Sequence, residues 1–232
     1  MADQIDRKRG SVDWAHIAAL LLLVGAALFL RTWFVYAKCF PGDFVNFQGT
    51  DPWYHVRAIE NLIHNFPHRI ALDPYALQPG GQHVAVAPLF DLMVAGVALV
   101  LGAGSPSTQL THTVCAWFPA VLGALITLPA YLLGRSLGGP RTGLLTAAII
   151  AVMPGAMLKA SLLGYTDHHV AECMFSLLTV GFLIRALQQI HPRHNTRAPS
   201  FLPGQGGMKE SFPRARSGTA PVPCERATDC PP

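Results

Sequence analysis

The chain has 232 residues, of which 51% are hydrophobic and 13% are charged, and its formal net charge is +4. Because a soluble domain typically carries about 25% charged residues, this composition favours a membrane protein. Basic residues are not interleaved with aromatic ones in a stripe, so a nucleic-acid partner is not expected. The five cysteines form no Cys-X-X-Cys pair, which argues against a zinc ribbon or a disulfide framework.

Four apolar runs are long enough to be predicted as membrane spans, since a helical span needs about 20 residues. A fifth run, at 88–104, has only about a dozen apolar residues after Asp91, a length typical of an interfacial, re-entrant or protein-buried helix. We therefore predict that it does not cross. No charge is expected deep inside the spans. The predicted spans are residues 15–37, 113–134, 142–160 and 170–187.

Basic residues predict the orientation of these spans. The sequence DRKR precedes the first span, and Arg135 and Arg141 lie in the link between the second and third. Because basic residues favour the cytoplasmic side, residues 1–14 are expected in the cytoplasm and the loop 38–112 outside. A cleaved signal peptide is the alternative for the first run, although its length and Lys38 argue against cleavage.

The external loop contains the sequence GTDPWYHVR, which places Asp51 directly before Pro52. Proline suits the first turn of a helix, and aspartate is a common helix cap, worth about 1 kcal/mol. Asp51 is therefore a candidate functional carboxylate whose simpler interpretation is a helix cap.

A second polar motif, GYTDHHVAE, follows the third span and contains Asp167, His168 and His169. Ionisable groups at a membrane boundary are costly to desolvate and often mark function. In extended backbone, Asp167 and His169 would point the same way. An oxygen and a nitrogen ligand suit Mn²⁺ or Mg²⁺, with His168 in a supporting position. The alternative is structural, with Asp167 capping the next helix.

Taken in order, GTDPWYHVR, LDPYALQPGG, APLFD and GYTDHHVAE resemble the catalytic subunit of oligosaccharyltransferase, the STT3 family, in its archaeal and bacterial form. The resemblance covers roughly residues 12–190. It implies an all-α membrane protein with a GT-C helical bundle, of which residues 15–190 would be the N-terminal part. It also implies a multi-pass protein of a prokaryotic plasma membrane, with its site on the external face.

The family's activity is N-linked protein glycosylation, in which an oligosaccharide passes from a lipid-pyrophosphate carrier to the asparagine of Asn-X-Ser/Thr. The implied partners are a lipid-linked oligosaccharide on a polyprenyl or dolichyl carrier, an acceptor polypeptide and membrane lipid. By resemblance, Asp51 is catalytic and contacts both the acceptor amide and a metal ion, Mn²⁺ or Mg²⁺. Asp167 and His169 would complete the metal ligands. Weaker candidates for supporting the ligands or binding substrate are His168, Arg57 and Tyr54.

The chain also departs from the family pattern. It has no Trp-Trp-Asp motif, and neither Glu60 nor Glu172 matches the glutamate of a later external loop. Glu172 is interpreted as a first-turn residue favoured by the helix dipole. Residues 191–232 are rich in Pro, Gly, Arg and Ser and are predicted to be a disordered or frameshifted tail. Little activity is expected from this chain alone.

Three other functions remain open: another GT-C glycosyltransferase that uses a lipid-monophosphate sugar, a small transporter or metal-binding membrane protein, and a non-catalytic membrane remnant or scaffold. A transporter would need polar groups along a path inside the membrane. The transferase interpretation instead predicts that Asp51 lies close to Asp167 and His169 in space.

Overall fold

The computed structural model describes residues 14–84 and 87–190. The predicted cytoplasmic N-terminus, apart from Trp14, and the predicted tail at 191–232 lie outside these residues. The described chain is mostly helical, as expected from its apolar runs.

The elements follow one another along the chain with short connections. The short strands Leu72–Asp73 (β1) and Gln82–His83 (β2) pair antiparallel, with Leu72 opposite His83 and Asp73 opposite Gln82. In chain order the elements are α1 (Trp14–Thr32), α2 (Tyr36–Cys39), α3 (Thr50–Asn65), β1 (Leu72–Asp73), β2 (Gln82–His83), α4 (Pro88–Leu101), α5 (Thr108–Leu125), α6 (Thr127–Gly138), α7 (Pro140–Val152), α8 (Ala156–Lys159) and α9 (His169–Ile190).

Three helical stretches of the described chain are long and apolar enough to cross a membrane. They are α1, the 31-residue stretch Thr108–Gly138 formed by α5 and α6, and α9. These stretches coincide with the predicted spans 15–37, 113–134 and 170–187. Helix α1 ends at Thr32, earlier than predicted, and the short α2 follows after a turn.

The helix in the predicted span 142–160 is shorter than that range. Helix α7 has 13 residues, and at 1.5 Å per residue it is roughly 20 Å long. The break follows from Pro154, which has no N–H to continue the helix, and from Gly155, whose φ is 100°. The chain then forms only the short α8, so the helix over 142–160 is interrupted, and the predicted span there stays a prediction.

Helices α3 and α4, which precede the long α5–α6 stretch, pack on α5. Helix α3 buries His55, Val56, Ile59 and Leu62, a spacing that places them on one face. Helix α4 has 14 residues and buries Asp91 among apolar side chains. The 88–104 run is therefore a short helix, as predicted, and its packing places one carboxylate in the core.

Arg31 is a charged residue in the predicted span 15–37, and it is fully buried. It lies in the last turn of α1, so the expectation that no charge lies deep in the spans stays a prediction. Its Nε donates to Oγ of Ser161, and its Nη1 donates to the carbonyls of Ala27 and Ala151. Ala151 is at the C-terminal end of α7, so Arg31 satisfies a carbonyl that the broken helix leaves without an amide partner.

Candidate functional site

The two polar motifs of the sequence are joined by backbone and side-chain hydrogen bonds. The N–H of Gln48 donates to the carbonyl of Gly164 over 3.1 Å. The N–H of Gly164 donates to the carbonyl of Ala116, and Oγ1 of Thr166 donates to the carbonyl of Cys115 over 2.7 Å. The turn before Asp167 is thus fixed against both α5 and the segment before α3.

Gly164 is required at this turn for two reasons. Its φ is 79°, in the left-handed region that side chains disfavour. A Cβ atom there would lie 2.7 Å from Sγ of Cys39. Glycine therefore allows the turn to approach the end of α2.

Asp51 lies in the first turn of α3 with an exposed side chain. The N-cap residue is Gly49, and no side chain caps this helix end. The alternative interpretation of Asp51 as the cap is therefore wrong.

Asp167 is 2% exposed and lies between the two neighbouring histidines. Its Oδ2 is 3.8 Å from Nε2 of His169, and its Oδ1 is 2.9 Å from Nδ1 of His168. Burial raises the pKa of this carboxyl, but His55 and the two histidines outweigh burial and hold the pKa below its ordinary value. Asp167 is therefore a buried carboxylate kept ionised by imidazoles.

His55, which the sequence analysis did not select, is the most buried histidine in this group. Its Nδ1 lies 2.7 Å from Oδ1 of Asp91, and its Nε2 lies 3.1 Å from Nδ1 of His168. Burial lowers the pKa of His55, but the contacts and charges of Asp167 and Asp91 outweigh it and raise the pKa to about 9. The signal in the sequence was Asp91, because a lone acid in an apolar helix needs a partner.

Both glutamates have specific partners. Oε2 of Glu172 lies 2.9 Å from Nδ1 of His169, and its Oε1 lies 3.6 Å from Nε2 of His168. Glu172 is thus more than a first-turn residue that favours the helix dipole. Glu60 contacts His112 over 2.8 Å and links α3 to α5.

Among the described residues, two groups bring three possible metal ligands within 4.8 Å of one another. One is His55, Asp167 and His168, and the other is His168, His169 and Glu172. Asp51 belongs to neither group, so the predicted ligand set of Asp51, Asp167 and His169 stays a prediction.

Arg57 and Tyr54 face the loop after α3. The guanidinium of Arg57 forms an ion pair with the buried carboxylate of Asp73. It also lies 5.5 Å from the ring centroid of Tyr54 and 5.9 Å from that of Tyr75. These contacts hold the loop onto α3, and a substrate role for Arg57 or Tyr54 stays a prediction.

The sequence profile of one protein family matches most of this chain. The family is described as "Oligosaccharyl transferase STT3, N-terminal", and the match covers residues 42–199. The chain belongs to the STT3 family. A curated STT3 relative, the Haloferax volcanii dolichyl-monophosphooligosaccharide–protein glycotransferase AglB, is 37% identical over 176 residues, which are 75% of this chain and 16% of the relative. This STT3 chain thus spans about a sixth of that relative.

Solved archaeal oligosaccharyltransferases share its fold. The Archaeoglobus fulgidus AglB, in complex with an inhibitory peptide and a dolichol-phosphate, matches with a TM-score of 0.69 and 34% identity, over 75% of this chain and 20% of that one. An A. fulgidus oligosaccharyltransferase in complex with Zn and sulfate matches with a TM-score of 0.68 and 32% identity, over 77% of this chain and 22% of that one. Another A. fulgidus oligosaccharyltransferase, tethered to an acceptor peptide with the NVT sequon, matches with a TM-score of 0.68 and 32% identity. The match covers 79% of this chain and 21% of that one.

These similarities confirm the expected family and the expected all-α, GT-C membrane fold. With three apolar helices of spanning length in the described chain, this STT3 protein is a multi-pass membrane protein.

Proposed function

We propose that this chain provides the N-terminal part of an oligosaccharyltransferase that transfers an oligosaccharide from a lipid-phosphate or lipid-pyrophosphate carrier to the asparagine of Asn-X-Ser/Thr. The observation that carries the proposal is the bond from Gln48 to Gly164, which brings the Asp51 segment against the Asp167 turn. The relatives solved with dolichol-phosphate and with a sequon peptide support the two substrate classes.

Asp51 is the group proposed to act on the acceptor. Its carboxylate is exposed at the start of α3 and is not used as a helix cap, so it can accept a hydrogen bond from an incoming amide. An amide nitrogen is a weak nucleophile because its lone pair is delocalised, with a rotational barrier of about 18–20 kcal/mol. A hydrogen bond from the amide N–H to Asp51 favours a twisted amide and a more localised lone pair.

The donor set fits a divalent cation at Asp51, Asp167 and His169. Oδ2 of Asp167 and Nε2 of His169 converge to 3.8 Å, and the Gln48–Gly164 hydrogen bond holds the Asp51 segment against the same turn. Carboxylate and imidazole ligands are compatible with Mn²⁺, and carboxylates with Mg²⁺. Such a cation would supply electrostatic stabilisation of the phosphate leaving group.

The lipid carrier requires this site to lie at a membrane face. The polar motifs lie next to the ends of the apolar helices, because Asp167 precedes α9 and the turn before it bonds to the end of α1 through the N–H of Leu163 and the carbonyl of Arg31. The basic residues at the opposite helix ends favour the cytoplasmic side. We therefore place the site at the external face, where an exported polypeptide is accessible.

The test is a chimera of the H. volcanii relative that carries residues 42–190 of this chain in place of the matching segment. Membranes containing the chimera and a lipid-linked oligosaccharide should glycosylate a peptide with Asn-X-Thr and leave a Gln-X-Thr peptide unmodified. A chimera that reaches the membrane at the parental level but transfers nothing would contradict the proposal. Full activity after replacement of Asp51, Asp167 and His169 would favour the scaffold alternative.

A further inference from the structure

Three possible ligand atoms form a small triangle beside the predicted catalytic site. Nε2 of His55 lies 3.1 Å from Nδ1 of His168 and 3.6 Å from Oδ1 of Asp167. The third side, from Nδ1 of His168 to Oδ1 of Asp167, is 2.9 Å. His55 and Asp167 are each 2% exposed, whereas the side chain of His168 is 23% exposed, so the triangle is accessible on its His168 side.

Oδ1 of Asp167 has no hydrogen-bond partner among the described residues, although it is buried. The short contact to His168 does not have hydrogen-bond geometry. A buried carboxylate oxygen without a partner is costly, commonly about 1–3 kcal/mol or more. The oxygen therefore points to a partner of positive charge.

Three ligand atoms converge here from two separate segments of the fold. Nε2 of His55 comes from α3, whereas Nδ1 of His168 and Oδ1 of Asp167 come from the turn before α9. Imidazole nitrogens and carboxylate oxygens are both metal ligands, so a single divalent cation within bonding reach would contact all three atoms.

Asp91 prepares His55 for such a role. Its Oδ1 lies 2.7 Å from Nδ1 of His55, so the N–H of His55 points to Asp91 and Nε2 points into the triangle. A histidine that ligates a metal usually donates its other N–H to a carboxylate or carbonyl, which fixes the ring and raises its basicity. Asp91 is itself buried in the apolar helix α4, where no other function for its charge is evident among the described contacts.

The spacing and the donor types select the class of ion. Tetrahedral Zn²⁺ with bonds of about 2.0–2.1 Å separates its ligand atoms by about 3.3 Å, and the three sides of the triangle, 2.9, 3.1 and 3.6 Å, bracket that separation. Two imidazoles and one carboxylate suit Zn²⁺ better than Mg²⁺, which prefers oxygen ligands.

We propose that His55, His168 and Oδ1 of Asp167 form a second divalent-cation site, of the Zn²⁺ class, distinct from the site predicted on Asp51, Oδ2 of Asp167 and His169. The inference rests on the proposed function in one respect, since the two sites share the carboxylate of Asp167. An ion there joins α3 to the turn before α9 and leaves the other oxygen of Asp167 for the predicted catalytic cation.

The test measures Zn²⁺ bound by the full chain, purified in detergent and stripped of metal with a chelator. Bound zinc is counted by elemental analysis, and its affinity is measured by competition with a chromophoric chelator. The His55→Gln variant should bind one equivalent of zinc less than wild type, because it loses the new site. The His169→Gln variant should lose the equivalent at the predicted catalytic site, and Asp167→Asn should lose both. His64→Gln, an exposed histidine on the same helix α3, is the matched control and should lose none. The zinc content of each variant is subtracted from that of wild type, so zinc bound by other histidines and cysteines, which is the same in both, cancels.

Asp91→Asn gives a second measurement that leaves every ligand in place. It should weaken zinc binding at this site by about 10–100-fold without changing the number of ions at saturation. Helical circular dichroism checks that each variant is folded.

The outcomes separate the two sites. A loss of one equivalent in His55→Gln, with none in His169→Gln, supports the new site and shows that the predicted catalytic site, proposed for Mn²⁺ or Mg²⁺, does not retain Zn²⁺. The reverse pattern overturns the new site and leaves the proposed function standing. Wild-type chain that binds no zinc overturns the new site, as does a His55→Gln variant that binds as much zinc as wild type.

Discussion

The N–H of Gln48 donates a hydrogen bond of 3.1 Å to the carbonyl of Gly164, and this bond joins the two polar motifs of the chain. Gln48 precedes Asp51 by three positions, and Gly164 precedes Asp167 by three. The pairing therefore places two carboxylates that are distant in sequence on neighbouring segments of the fold.

Replacement of Asp51 tests its proposed role directly. In the chimera, Asp51→Asn should reduce glycopeptide formation by about 10²–10³-fold, the usual effect of removing one electrostatic stabiliser of a reaction. Asp43→Asn, an exposed aspartate earlier in the same loop, is the control and should keep the parental rate. Equal rates for the two variants would show that Asp51 does not take part in the transfer.

Removal of divalent cations tests the proposed metal requirement. A chelator should stop glycopeptide formation by the chimera, because Asp167 and His169 would lose the positive charge they are proposed to hold. Added Mn²⁺ or Mg²⁺ should restore transfer, as measured by the rate after back-titration. Transfer that continues at the same rate in excess chelator would argue against a cation at this site.

Gly164→Ala should destabilise the turn that carries Asp167. Alanine in the left-handed region costs roughly 1–2 kcal/mol, and its Cβ would also clash with Sγ of Cys39. The measurement is the thermal unfolding of the purified chain, followed by size-exclusion chromatography after heating. Gly25→Ala in α1, where an added Cβ meets nothing within 4 Å, should cause no loss of stability. Similar losses in both variants would contradict a special requirement at Gly164.

Arg31→Lys should destabilise the chain even though the charge is kept. Lysine cannot reach Ser161 and the carbonyl of Ala151 with the planar fork that arginine uses. Each buried group left unpaired costs about 1–3 kcal/mol. The same heating assay measures the effect, and Arg135→Lys on the exposed end of α6 is the control. An unchanged unfolding temperature for Arg31→Lys would contradict the inference that Arg31 stabilises the end of α7 through the carbonyl of Ala151.

Arg57→Gln should loosen the loop between α3 and α4 with a small effect on the rest of the chain. Arg57 is about half exposed, so its ion pair with Asp73 is expected to contribute about 1 kcal/mol or less. Hydrogen exchange should increase in the loop peptides around Asp73 and Tyr75. His64→Gln on the same helix should leave exchange there unchanged. No change in the Arg57 variant would mean that other contacts hold the loop.

Much of the fold could be predicted from local sequence. Runs such as 15–37 and 170–187 are apolar over a span length, and their helices fall close to the predicted bounds. The 142–160 run is mostly apolar, but Pro154 and Gly155 end its helix at Val152, a break that average composition does not report. Apolar composition indicates that a segment can be buried. The length of its helix depends instead on whether each residue has a backbone N–H to donate, which proline lacks.

The candidate site was predictable in part. Asp51, Asp167 and His169 could be selected as candidates from motif order, since polar residues between apolar runs are conspicuous, and the structure brings Asp167 within 3.8 Å of His169. His55 was not found, because its importance lies in contacts with Asp91 and the Asp167 turn, and neither contact leaves a periodic pattern in the sequence. Arg31 was missed for the same reason, since its partners are on α7 and near α8.

The sequence by itself determined the membrane character, the approximate helices and the two polar motifs, because hydrophobicity and turn residues act locally. Only the tertiary structure decided which polar groups meet. Burial makes an unpaired charge costly, so Asp91, His55 and Asp167 lie together in the core. That pairing depends on how α3, α4 and the turn before α9 pack, which no single segment of the sequence contains.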